Sequence, residues 1–168
     1  MRKFLISLGT IVFTVVALVL GVGWWLPVAH NAARTVVLAA PPATVFDIVS
    51  DFARHPEWRS DLTRVETDGE PGMGQLVREI GADGELPYRV TALQRPTLLV
   101  TRIESASLPF GGAWTYYFVE APSGGTRLTI AEDGEIYNPV FRFMARFVFG
   151  YEATIDRYLS DLATRVGQ

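Results

Sequence analysis

Hydrophobic and polar positions divide this chain into one long uncharged run and a patterned remainder. Residues 4–26, Phe4-Leu-Ile-Ser through Gly23-Trp24-Trp25-Leu26, contain no charged side chain. As a helix the run measures roughly 34 Å at 1.5 Å per residue, enough to cross a hydrocarbon core of about 30 Å. Trp24 and Trp25 close it with indoles, which favour the headgroup zone, and Pro27 ends it. Past Arg34 the pattern changes. Residues 35–40 read as a β-branched strand and 43–52 as a helix whose Val45, Phe46, Ile48, Val49 and Phe52 share one face. His55-Pro56-Glu57-Trp58 reads as a turn into a short second helix.

Short alternating runs follow at 62–67, 74–81, 85–94, 97–105, 112–121 and 125–135, separated by Gly, Pro and Asp. The turns include 69–72, 82–84, Arg95-Pro96 and 122–125. Connections this short predict antiparallel hairpins in a meander. Asn138-Pro139 then offers an N-cap with proline in the first turn. A single helix is expected over 139–166. Val140, Phe143, Met144, Phe147, Val148, Tyr151, Ile155, Tyr158, Leu159, Leu162 and Val166 lie on one arc, with Arg142, Arg146, Glu152, Asp156 and Ser160 opposite. The fold class is α+β, a helix-grip fold: a curved antiparallel sheet of about seven strands around a long C-terminal helix, plus one N-terminal transmembrane helix. Residues 1–33 form the anchor and a short linker, and 34–168 the domain.

Charge orients the anchor. Arg2 and Lys3 precede it and only Arg34 follows closely, so the N-terminus is expected in the cytoplasm and the domain outside, at the inner membrane. A cleaved signal peptide fits less well, because the apolar run is long and 27–33 offers a poor cleavage site. All 18 acidic residues lie from Arg34 onward, with every basic residue except Arg2 and Lys3. That negative domain has no basic patch to suggest nucleic acid. There is no cysteine and there are two histidines, which excludes disulfides, thiol catalysis and His-rich or thiolate metal sites. No metal or cofactor is expected.

A curved sheet closed by one helix tends to leave an apolar hollow, the usual setting of a small-molecule site. Its candidate lining is aromatic: Trp58, Tyr88, Val90, Trp114, Tyr116, Phe118, Phe143, Phe147 and Tyr151. Filling of the core is the competing reading. A buried phenol requires a partner, and three tyrosines pointing inward favour the pocket.

Several segments resemble one superfamily. Pro42-Ala-Thr-Val-Phe-Asp-Ile-Val-Ser-Asp-Phe52 with His55-Pro-Glu-Trp58, then Gly125-Thr-Arg-Leu-Thr-Ile130 and the amphipathic C-terminal helix, are similar to START-like (SRPBCC, helix-grip) domains. Within them the likeness is greatest to the bacterial polyketide cyclase/dehydrase and lipid-transport family. The resemblance spans about residues 34–166. It implies binding of a hydrophobic molecule between sheet and helix, and in some members cyclisation or dehydration of polyketides. The anchor departs from the simple cytoplasmic members.

No catalytic set assembles from the sequence. His30 falls in the linker, and His55, ahead of Pro56, reads as structural or exposed. Glu132-Asp133-Gly134-Glu135 reads as a solvated strand end with at most part turned inward. Arg78 and Arg89 are expected on solvent-facing strand positions. Arg142 and Arg146, flanked by Phe141, Phe143, Phe147 and Phe149, fit a solvated face, or a surface resting on an anionic bilayer. The expected function is therefore membrane-tethered binding of a lipid or other apolar small molecule. A cyclase or dehydratase using Tyr88, Tyr116 or Glu132, and an interaction module of a membrane complex, are the alternatives. The protein partner is unknown.

Overall fold

The computed structural model describes residues 2–122 and 124–167, with side chains described from residue 9 onward. Helix α1 (Arg2–Trp25) leads into strand β1 (Ala29–Leu38). Helix α2 (Pro42–Ser50) and a 3-10 turn (Phe52–Glu57) follow. Six further strands then run without interruption: β2 (Leu62–Asp68), β3 (Leu76–Gly81), β4 (Gly84–Gln94), β5 (Leu98–Ile103), β6 (Phe110–Glu120) and β7 (Thr126–Ile136). The chain closes with α3 (Pro139–Met144), a π-turn (Ala145–Phe149) and α4 (Ala153–Arg165).

The strands form one seven-stranded antiparallel sheet in the order β1-β7-β6-β5-β4-β3-β2. The meander β2–β7 follows from the tight Gly- and Pro-containing turns, and β1 closes beside β7 through ten paired positions, Ala29 with Glu135 to Leu38 with Thr126. Ser123, within the predicted turn 122–125, lies outside the described residues. Alternation sends Trp114, Tyr116 and Phe118 of β6, and Leu128, Ile130 and Glu132 of β7, to the inner face. There they meet Val45, Phe46 and Val49 of α2 and Ile155, Tyr158, Leu159 and Leu162 of α4, which together make the core.

Two expectations are corrected. Strand β1 begins at Ala29, well before residue 35, and His30 belongs to it; three residues separate α1 from the sheet. Among the described residues no helix is long and apolar enough to cross a membrane; the side chains described in α1 begin at Gly9.

The second correction concerns the C-terminal helix, which is two helices. After the π-turn, Gly150 adopts φ 78°, ψ 159°, a conformation reserved in practice for glycine and incompatible with a helix. Only α4 grips the sheet. The first half packs elsewhere, and the predicted arc fails there: Phe147 is 58% exposed, while Arg142, expected on the polar side, is only 7% exposed. Arg142 is buried because α3 lies against the end of α1. Its Nη1 donates to the Leu26 carbonyl at 2.9 Å, placing a cation at the helix C-terminus. Gly23 makes the approach possible, since a Cβ there would collide with the Pro139 carbonyl.

Candidate functional site

Where the sequence pattern predicts a hollow, the structure holds a cluster of rings centred on Tyr158. This residue projects from α4 towards the inner face of the sheet. Its ring lies 5.3 Å from Trp58, 5.8 Å from Tyr116, 5.9 Å from Trp114 and 6.3 Å from His55, edge-on or tilted. Such spacings favour edge-to-face contact over plain area burial alone. Tyr88, Val90, Tyr116 and Phe118 are buried in the core, with Trp58, Trp114 and Tyr151 packed against it. Phe143 and Phe147 stand apart, tilted against each other with centroids 5.0 Å apart.

Beneath the rings lies a charged network. Glu79, on the inner face of β3, is buried, and one carboxylate oxygen, Oε1, takes three partners. Arg59 Nη1 donates at 2.6 Å, Tyr88 Oη donates at 2.7 Å, and His55 Nδ1 lies at 3.3 Å. Arg59 also grips Asp61 with Nε at 3.1 Å and Nη2 at 2.6 Å, and its guanidinium sits 5.1 Å over the Tyr158 ring. His55 Nε2 faces the Val49 carbonyl at 3.0 Å. Both ring nitrogens of His55 thus face oxygens.

Burial pushes the Glu79 carboxyl up, but the His55 hydrogen bond and the Arg59 charge outweigh it and hold it below the usual carboxylate range. Burial opposes the charge of Arg59, and the Glu79 carboxylate reverses this, so its pKa is raised. Burial drives the phenols of Tyr88, Tyr116 and Tyr158 upward, keeping all three protonated. Trp58 Nε1 is buried with no hydrogen-bond partner, and the Tyr158 hydroxyl faces that of Tyr116.

A second polar group lies at the β1–β7 edge. Glu132 turns inward on β7, the part of 132–135 that alternation allows to do so. Its Oε1 lies 3.5 Å from His30 Nε2. His30 stacks on Tyr151 with centroids 4.3 Å apart, over Gly134, where a side chain would strike the imidazole. His30 Nδ1 is buried and unpartnered. Burial lowers the pKa of His30 and raises that of Glu132, the latter against a hydrogen bond from Trp114. The two shifts favour a neutral imidazole beside a carboxyl that protonates readily. The neighbouring acids point outward: Asp133 pairs with Asn31, and Glu135 accepts from Tyr137 Oη at 2.7 Å.

Two hollows of about 270 Å³ each lie outside the sheet–helix interface. One is lined by Thr44, Asp47, Ile48, Asp51, Arg54, Trp58 and Arg165, between α2, the 3-10 turn and the end of α4. Trp58 thus forms a wall between this hollow and the ring cluster. The other lies on α1 against Gly21, Val22, Trp25 and Leu26. Arg78 and Arg89 face outward as expected, Arg89 paired with Glu104 at 2.6 Å. Among the described residues, no group of three or more acidic or imidazole side chains is arranged to hold a metal ion.

The structure brings Trp58, Tyr88, Trp114 and Tyr116 of the expected lining together, around a hub and an ionic floor that the sequence pattern misses. Tyr158 is visible only as one of eleven positions on a helical arc. Glu79 and Arg59 carry a readable signal, an acid on the apolar face of an alternating strand and an arginine directly after a Trp-containing turn.

An antiparallel sheet wrapped on a C-terminal helix, with α2 and a 3-10 turn inserted after the first strand, defines an α+β helix-grip domain with an aromatic interior. Residues 29–167 match the family model described as polyketide cyclase/dehydrase and lipid transport, and the chain belongs to that family. Comparison with curated proteins gives no match. Among solved structures, a START superfamily protein from Mycobacterium smegmatis superposes with a TM-score of 0.66 at 19% identity, over 82% of this chain and 97% of that one. A norcoclaurine synthase point mutant from Thalictrum flavum, in complex with a transition-state analogue, gives 0.67 at 11% identity, over 84% and 96%. The di-domain ARO/CYC BexL of the BE-7585A biosynthetic pathway gives 0.69 at 16% identity; the match covers 88% of this chain and 53% of BexL. At these identities the likeness concerns the fold.

Proposed function

We propose that this domain binds a largely apolar small molecule or lipid between sheet and α4, and that α1 tethers it to a bilayer. The observation that carries the binding reading is an unpartnered donor, Trp58 Nε1, buried among rings. An indole N–H can only donate. A ligand bearing one oxygen acceptor on an apolar body would satisfy the Trp58 N–H. Trp58, Tyr88, Val90, Trp114, Tyr116 and Phe118 would form its walls, with Tyr151 at the β1 edge. Phe143 and Phe147 lie off this cluster. Access runs past Trp58 from the hollow beside α2, and Gly150 gives α4 a joint on which to ease away. Family membership supports the same reading.

Tethering is supported by the uncharged run 4–26 and by the basic residues ahead of it, which favour a cytoplasmic N-terminus and a domain beyond the inner membrane. Native mass spectrometry of the full chain, extracted in mild detergent, tests the binding reading. Co-purifying hydrophobic molecules that are lost in Trp58→Ala support it; an empty protein that takes up no added lipid, sterol or polyketide refutes it. Release of the chain from membranes by alkaline carbonate would refute the tether.

A cyclase or dehydratase reading has one observation in its favour, the Glu132 carboxyl raised by burial beside the neutral-leaning His30. Cyclisation of a poly-β-ketone thioester probe by the wild type but not by Glu132→Gln would support it. Equal turnover by both would remove Glu132 from any such role.

A further inference from the structure

The first half of the broken C-terminal helix carries the densest group of exposed apolar side chains on the domain. Phe141, Phe147, Val148 and Phe149 are all exposed, the last at 66%. The segment 137–151 contains no acidic residue and two arginines, in a chain whose net charge is negative. Arg146 is exposed among these rings, with its guanidinium 6.0 Å from the Phe147 centroid. Monomeric proteins rarely leave such a patch open without a partner.

The packing of α3 fixes where this patch lies. Gly23 touches Pro139 and Arg142 holds the Leu26 carbonyl, so the start of α3 is fastened to the last turn of α1. That turn carries Trp24 and Trp25, exposed at 74% and 92%. The patch therefore continues an uncharged helix at the level of its indoles. The shallow apolar hollow lined by Gly21, Val22, Trp25 and Leu26 belongs to the same region.

We infer that α3 and the π-turn are a second membrane contact, which seats Phe141, Phe147 and Phe149 in the headgroup zone of the bilayer that α1 enters, with Arg146 on anionic lipid. The inference rests on the tethering reading above. Its chemistry is that of interfacial segments: rings at the acyl boundary, cations at the phosphates, and no acid between them. A lipid surface fits better than a folded protein partner because the patch is continuous with α1 and is oriented by it. The broken helix then has a purpose: one half grips the sheet while the other lies on the membrane.

The absence of cysteine makes the test direct. Single-cysteine variants of the full chain, Phe149→Cys, Phe13→Cys and Val119→Cys, are labelled with an environment-sensitive fluorophore. They are reconstituted in nanodiscs of phosphatidylcholine, with and without phosphatidylglycerol. Phe13 is an exposed position within α1, and Val119 an exposed position on the outer face of β6. The inference expects blue-shifted emission at 149, quenched by spin-labelled lipid and sheltered from aqueous iodide, with a larger shift when phosphatidylglycerol is present. Position 119 should behave as an aqueous site. A label at 13 in hydrocarbon with one at 149 open to iodide overturns this inference and leaves the tether standing. Labels at both 13 and 149 open to iodide overturn both. Shelter at 149 that tracks a cross-linked dimer rather than lipid composition assigns the patch to a second copy of the chain and overturns it as well.

Discussion

Arg59 and Tyr158 couple the two ends of the sheet–helix interface. The guanidinium lies 5.1 Å over the phenol ring while its Nη1 donates to Glu79 at 2.6 Å, so one side chain joins α4 to β3. A buried ion pair of this kind is a poor source of net stability, but breaking it strands a charge. Glu79→Ala is therefore expected to cost up to roughly 3–5 kcal/mol, the figure for an uncompensated buried partner, with Asp61 holding part of the Arg59 charge. Joint replacement by apolar residues, Arg59→Met with Glu79→Leu, should recover part of that loss despite removing two charges. Chemical denaturation of the single and double variants reads both effects.

The same network sets an acid limit. Glu79 titrates below its ordinary 4.5 in the folded state, so between the two values the unfolded chain binds more protons. Its stabilising contribution is fully present above about 4.5 and disappears as pH falls through the lower folded value. Thermal melts of wild type and Glu79→Gln across that range should converge towards the acid end.

Glu132 has the opposite sign. Its pKa is raised above 4.5 by burial, so the folded state binds the extra proton and stability falls as pH rises through the window above 4.5. Glu132→Gln should be more stable than wild type at neutral pH and should lose that advantage below about 4.5. For His30, lowered from 6.5, the neutral ring is the favoured one, and stability declines as pH drops below 6.5. A melt series from acid to neutral pH separates the two.

Removing the Tyr158 hydroxyl distinguishes packing from binding. Its hydrogen-bonding neighbour is one other hydroxyl, that of Tyr116, so Tyr158→Phe should change stability by about 1 kcal/mol. If the hydroxyl addresses a ligand, the variant should retain less of any co-purified molecule. An equal load by native mass spectrometry would show that the phenol serves packing alone.

Gly150 should not tolerate a side chain. At φ 78°, ψ 159° an alanine is strained by roughly 1–3 kcal/mol. Gly150→Ala should therefore lower the unfolding midpoint, or shift the junction between the π-turn and α4, visible as altered amide exchange at 145–153.

The sheet was legible because its signals are local. Alternation and Gly- or Pro-rich turns place β2 to β7 within a few residues of their observed limits, as with 62–67 against Leu62–Asp68. The continuous C-terminal helix was misread because the 100° arc runs smoothly across Gly150, and periodicity does not register one residue's dihedral angles. Arg142 reads as exposed because the partner that buries it, the end of α1, is over a hundred residues away in sequence. Tyr88, Trp114 and Tyr116 were found from alternation. Glu79, Arg59 and Asp61 were not, because a buried charge is recognised by its partners, and those converge only once β3 meets the 3-10 turn.

Only Leu26, Pro27 and Val28 separate α1 from β1, a stretch of at most about 10 Å, and Arg142 staples even that gap. A joint so short gives the sheet almost no freedom to swivel about α1. The domain behaves as a bracket rather than a ball on a cord. Whatever frame holds α1 also aims the hollow beside Trp58, so under the proposed binding function the exchange of a ligand would be governed by a fixed heading and not by a search.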